Sequence, residues 1–198
     1  TYDQAFADFD RWLHFGVDPW QITHAVFSHP LATGFINLMY NLWFFMLWGI
    51  MFFFILRLKP IVERKRYLIA HMLCWFIIGG FFATLMSSAG PVYYPHFVED
   101  GAVFQPLMDR LATQNLWLEE STGWLKVWSL EAQQMLFNNY TEGRSSVASG
   151  ISAMPSMHVS IAVLIALSVR HYHRFIAIAA WSYVAIIQIG SVHLGWHY

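Results

Sequence analysis

Three short stretches carry the side chains best suited to chemistry: Gly90-Pro91-Val92-Tyr93-Tyr94, Pro155-Ser156-Met157-His158, and His193 through Tyr198. Ser156 stands ahead of an apolar run, where serine makes a good N-cap, and the free N–H groups of a first helical turn attract anions. A phosphate fits such a position. His158 falls in that same first turn, close enough to hand a proton to a leaving oxygen, and a bound phosphate dianion would favour its charged form. His193 and His197 are four residues apart, so on a continuous helix both would project from one face. Two imidazoles suit metal or phosphoryl chemistry. A neutral imidazole attacks phosphorus to give a phosphohistidine when its other nitrogen is held by an acceptor that fixes the tautomer. The plainer alternatives are a capped helix with a hydrogen-bonded histidine at Ser156–His158, and interfacial histidines that only meet headgroups or water at the other pair.

The elements that must position these residues follow from composition. The 198 residues are 57% hydrophobic and only 12% charged, against roughly 45–50% apolar and about 25% charged in ordinary soluble domains. A formal charge of −1 provides no basic field for nucleic acid, which is not expected as a partner. The single cysteine, Cys74, excludes an intrachain disulfide framework and a cysteine-based metal site.

Residues 19–56, 67–98, 145–169 and 175–198 contain no Asp, Glu, Lys or Arg. A helix crossing a bilayer needs about 20 mostly apolar residues. Spans are therefore expected at roughly 36–57, 68–88, 155–170 and 175–196, as helices, because backbone polar groups in hydrocarbon must be satisfied within the segment. The predicted fold class is an all-α polytopic integral membrane bundle, forming a single membrane domain over 1–198. With Thr1 first and Tyr198 directly after an apolar stretch, the sequence reads as a piece of a longer chain.

Charge in the connections sets the orientation. Arg57, Lys59, Arg64, Lys65 and Arg66 against Glu63 make the first connection basic, and Arg170 and Arg174 mark another, so both are expected on the cytoplasmic side. The acidic segments 1–18 and 99–144 then lie outside, and the three chemistry-bearing stretches gather at that same extracytoplasmic level. Tyr2, Phe6, Phe9 and Leu13 recur at helical spacing among charges, describing an interfacial amphipathic helix in 1–18, with packing on protein the other option. Phe104, Leu107, Met108 and Leu111, then Trp124, Leu125, Trp128, Ala132 and Met135, make two more stripes, suited to a lid at the interface.

Ala153-Met154-Pro155-Ser156-Met157-His158-Val159 ahead of an apolar helix, with Gly195-Trp196-His197-Tyr198 one span later, resembles the second and third signature motifs of the type 2 phosphatidic acid phosphatase (PAP2) superfamily. The likeness covers about residues 36–198. Gly90-Pro91-Val92-Tyr93-Tyr94 is similar to the proline- and aromatic-rich motif of the branch that contains inositol phosphorylceramide synthase and related lipid phosphotransferases. The resemblance implies His197 as the nucleophile that becomes phosphorylated, His158 as the acid for the leaving group, and Ser156 with neighbouring amides as a phosphate cradle. It also implies a reaction without metal or other cofactor, on a lipid phosphate substrate among membrane lipids.

Departures from the family pattern are specific. The aspartate that orients the nucleophile would fall at position 201, Ser191 stands where the phosphatase branch has arginine, and that branch's lysine and Arg-Pro motif is missing. Arg144 is the candidate for neutralising phosphate instead, with Tyr94 and His193 as further substrate contacts. The expected activity is that of a membrane lipid phosphatase or phosphotransferase, hydrolase or transferase according to the second acceptor. Two alternatives stand beside it. A non-catalytic subunit of a membrane complex would use its aromatic spans to bind membrane-protein partners. A histidine-box metal oxidase would draw on the ten histidines, yet His71, His171 and His173 fall near the inner face and His158, His193 and His197 near the outer one, too dispersed for one dinuclear site.

Overall fold

A computed structural model describes residues 1–57, 61–99, 101–144 and 151–198. Lys59 and Asp100, counted above in the basic connection and the acidic segment, lie outside the described residues. The main elements are α1 (Asp3–Leu13), α2 (Pro19–Val26), α3 (Pro30–Leu56), α4 (Ile61–Leu85), α5 (Gln105–Thr122), α6 (Trp128–Thr141), α7 (Met157–Val169) and α8 (Arg174–His193). Short helical turns occupy Pro91–Tyr93, Tyr94–Phe97 and Gly101–Phe104. The protein is an all-α bundle, and no strand occurs among the described residues.

Helices α3, α4 and α8 are each long and apolar enough to cross a membrane, whereas the apolar α7 has 13 residues. α3 begins at Pro30, whose fixed φ suits a first helical position, and His29 Nδ1 accepts the Leu31 N–H at 3.2 Å. Thr33, Gly34, Ile36, Asn37, Tyr40, Trp43, Leu47 and Phe54 form its buried stripe. Phe44, Phe45, Trp48 and Phe52 stand exposed beside that stripe, as expected of a helix that meets lipid rather than water. Its polar residues bond inward: Asn37 Nδ2 donates to the Lys126 carbonyl (3.0 Å), and Asn37 Oδ1 accepts from Ser129 Oγ (2.7 Å).

Close helix packing brings α3, α7 and α8 together. A Cβ at Gly190 would come within 2.9 Å of the Tyr40 ring, the close approach that small residues permit between membrane helices. α7 buries Ile161, Ala162, Ile165, Ala166 and Val169, a stripe with helical spacing. α4 is mostly exposed, burying only Tyr67 and His71 along its first half, and is π-helical from Cys74 to Phe82. Glu63, Arg64, Lys65 and Arg66 lie on the first turns of α4 rather than in a loop. At that end Tyr172 O–H donates to Glu63 (3.0 Å), and Arg57 pairs with Glu63 (3.3 Å), knitting α3, α4 and the α7–α8 connection.

The stripe on α5 is core, whereas in the second stripe Leu125 is buried but Trp124 and Met135 are exposed, and α6 itself buries Ser129 and Gln133. Leu107, Leu111 and Leu118 are fully buried, and a Cβ at Gly34 would meet Leu125 and Leu118. On α1 the inward face carries Asp3 and Ala7, while Phe9, Trp12 and Leu13, with Tyr2 just before the helix, are exposed.

Candidate active site

The chain between α4 and the Pro91 turn acts as a hub. Ser87 O accepts from Tyr2 N (2.9 Å), Ser88 O from Ala153 N (2.9 Å), and Val92 N donates to Gly195 O (3.1 Å). The Gly90 stretch, the Ser156 stretch and the end of α8 therefore meet in one place. Gly90 has φ +96°, and a Cβ there would lie 2.5 Å from the Trp196 carbonyl oxygen. Only glycine permits both the backbone conformation and the approach.

Ser156 caps α7, with extended backbone (φ −74°, ψ 115°) and its Oγ accepting the Val159 N–H at 3.4 Å. The same hydroxyl lies 3.0 Å from His197 Nε2. His197 Nδ1 faces the Ala153 carbonyl in a close hydrogen bond. Since a carbonyl only accepts, Nδ1 carries the proton, and the Nε2 lone pair points at the Ser156 hydroxyl, which donates to it. His197 is buried, which pushes its pKa down to about 4 against the partial opposition of the Ala153 bond, so the ring is neutral at ordinary pH.

His158 stands in the first turn of α7, two residues after Ser156. Its ring is stacked on Tyr40 (centroids 4.5 Å, 20°) and tilted against Trp43 (4.2 Å, 38°), and Trp43 Nε1 donates to the His158 carbonyl at 2.9 Å. The two aromatic rings fix the imidazole's plane. Tyr40 and Trp43, three apart on one helix face, read in the sequence as ordinary apolar span residues; their spacing was the available signal.

His193 and His197 do not share a helix face. α8 ends at His193, and Gly195 adopts a left-handed φ of +75° that turns the chain before His197. His193 is fully buried: Nε2–H donates to Thr33 Oγ1 (2.8 Å), whose hydroxyl donates to Gln114 Oε1 (2.8 Å), and Nδ1 lies 3.2 Å from Thr23 Oγ1. His24 stacks on it at 3.7 Å and donates to its carbonyl (2.9 Å). The structure thus puts His193 in a packing network beside the site, apart from the Ser156–His197 contact. Tyr94 is buried edge-on to Phe104 (5.1 Å). Arg144 stands mostly in the open, its guanidinium 2.8 Å from Glu142, and is not drawn to the histidines.

The residue that sequence reading missed altogether is Asp3. Fully buried, it accepts Ala89 N–H and Gly90 N–H at 2.8 Å and the Tyr198 hydroxyl at 2.7 Å. Among the described residues, no cluster of three or more His, Cys, Asp or Glu side chains is arranged to hold a metal ion.

The arrangement offers a neutral imidazole with its free nitrogen aimed at the cap of a helix whose first turn carries a second imidazole, a disposition suited to phosphoryl transfer through histidine. No curated protein and no solved structure matches the chain. The family model described as the PAP2 superfamily matches residues 4–198. This chain belongs to the PAP2 superfamily, whose members are generally phosphatases.

Proposed function

We propose that the protein is an integral membrane lipid phosphatase or phosphotransferase that works through a phosphohistidine at His197, without metal, on the extracytoplasmic face. The observation that carries this reading is the His197 ring, with Nδ1–H tied to the Ala153 carbonyl and Nε2 at 3.0 Å from Ser156 Oγ. A substrate phosphate placed at the start of α7 takes over the Ser156 hydroxyl and the free first-turn amides, releasing the Nε2 lone pair. Nε2 then forms a bond to phosphorus as the P–O bond to the leaving group breaks. His158, charged by the neighbouring dianion, gives its proton to that leaving oxygen. In the second step water or a hydroxyl-bearing acceptor loses a proton to His158, its oxygen bonds to phosphorus, and the P–N bond breaks to return neutral His197.

Water as acceptor makes the enzyme a phosphatase; an alcohol that keeps water out makes it a transferase. The packing of Val92 against Gly195 supports placing the chain near the inositol phosphorylceramide synthase branch, because it puts that branch's aromatic motif against the nucleophile's turn. A cavity of about 260 Å³, lined by Tyr93, His96, Gln133 and Phe137 among others, borders the same turn. It offers space for an acceptor or headgroup. Candidate substrates are phosphate esters of diacylglycerol, polyprenol or ceramide. The outward orientation rests on Arg57, Arg64, Lys65, Arg66, Arg170 and Arg174, which cluster at the bundle end opposite Ser156. Arg144 reaches a phosphate only by leaving Glu142.

Turnover of phosphatidic acid by the full-length protein in proteoliposomes tests this reading. Phosphate release or transfer that survives chelator and disappears in both His197→Ala and His158→Ala supports it; activity retained by His197→Ala overturns it.

A further inference from the structure

The bonds around His197 form a closed circuit. From Asp3 it runs through the Ala89 N–H (2.8 Å) to the neighbouring Ser88, whose carbonyl takes Ala153 N–H (2.9 Å). From there the Ala153 carbonyl takes His197 Nδ1–H, and the next residue, Tyr198, returns its hydroxyl to Asp3 at 2.7 Å. The Tyr198 ring is itself flanked by Phe6 (6.2 Å, stacked) and Phe104 (5.9 Å, edge-on), so its hydroxyl has little freedom to seek another acceptor.

A carboxyl group without exposure is costly unless its oxygens are engaged in hydrogen bonds. Asp3 meets that condition with three neutral donors from two separate parts of the chain, Ala89–Gly90 and Tyr198. One side chain thereby sets the distance between the Ser88–Gly90 segment that supports Ala153 and the residue that follows the nucleophile. An asparagine in its place keeps the shape but puts an N–H₂ against an N–H or a hydroxyl, and alanine leaves three donors unmet.

From this circuit we propose that Asp3 is a positioning residue for His197, acting through Tyr198 and through the Ala89 and Gly90 amides to hold the imidazole at the angle needed for in-line attack. The proposal rests on His197 being the nucleophile. Asp3 does not touch the phosphate. Its effect falls on the rate at which bound substrate reacts, since a displacement of about 1 Å at an attacking atom costs about 100-fold.

The test uses full-length protein in proteoliposomes with radiolabelled phosphatidic acid, measuring kcat, KM and the number of sites that form trapped phosphoenzyme. In Asp3→Asn, kcat per trapped site is expected to fall about 10- to 100-fold, with KM within about 3-fold. Tyr198→Phe, which removes one hydroxyl and nothing else, is expected to fall by about 3- to 10-fold, and the double variant no further than Asp3→Asn alone, because the two act as one unit. Asp3→Glu, which retains the two acceptor oxygens, recovers part of the rate. A residue that merely stabilised the fold would reduce the number of trapped sites and leave the rate per site untouched. That outcome overturns the proposal, as do losses that multiply in the double variant. If Asp3→Asn fails to fold, an unchanged rate per site in Tyr198→Phe is decisive against it. Turnover in His197→Ala is a separate failure, of the nucleophile itself.

Discussion

The Ser156 hydroxyl and His197 Nε2, 41 residues apart in sequence, stand 3.0 Å from each other across the α7–α8 pair. The same oxygen caps α7 by accepting the Val159 N–H. One hydroxyl therefore marks the helix N-terminus where an anion is favoured and the nitrogen that would attack it.

Ser156→Ala separates the two duties. Loss of the cap costs ~1 kcal/mol of stability, whereas loss of a donor to the transferring phosphate is expected to lower kcat by about 100-fold. Steady-state kinetics beside thermal unfolding in detergent distinguishes them; a fall in stability with unchanged kcat would restrict Ser156 to capping.

His158 is held between Tyr40 and Trp43, the geometry of a proton donor with one orientation. His158→Ala is expected to lose about 100-fold or more on an alkyl phosphate, and about ten-fold less on an aryl phosphate whose leaving oxygen needs no proton. Equal losses on both substrates would remove the acid role.

Burial lowers His197 and His24 each to about 4. In the unfolded chain both titrate near the ordinary histidine value of about 6.5. Between these values the unfolded state binds more protons, so stability rises with pH from about 4 to about 6.5 and is lost as pH falls through that window. Melting temperature measured across it should show this slope, and His24→Gln should flatten it. For the same reason the rise of kcat/KM that reports the free nucleophile is expected near pH 4 and not near 6.5.

Gly90→Ala forces a Cβ into a left-handed backbone position 2.5 Å from the Trp196 carbonyl. The strain is expected to cost about 1–3 kcal/mol and to separate the Asp3 contact from the His197 turn. Activity should fall well beyond what the melting temperature alone explains; wild-type activity would show that this close approach is dispensable.

The charge-free runs, Ser156, His158 and His197 were legible because each announces itself locally: a cap before an apolar run, a histidine in a first turn, a motif one span later. His193 was misplaced because four-residue spacing implies a shared face only on a continuous helix, and the helix stops there, Gly195 turning the chain through positive φ. The acceptor for His197 Nδ1 was invisible for another reason, being the backbone carbonyl of Ala153, which no side-chain pattern encodes. Asp3 reads as one of several acids on an amphipathic helix, and its burial depends on donors 86 or more residues away. Arg144 satisfied a need for positive charge on paper, but its nearest acid is two residues before it.

The covalent intermediate is the most direct target. Purified full-length protein given radiolabelled phosphatidic acid, then quenched rapidly, should yield a phosphoprotein that is labile in acid, stable in base and lost in His197→Ala. In His158→Ala the label should form more slowly on an alkyl ester. Label that persists in His197→Ala, or turnover in that variant at the parent rate, would contradict phosphoryl transfer through this histidine.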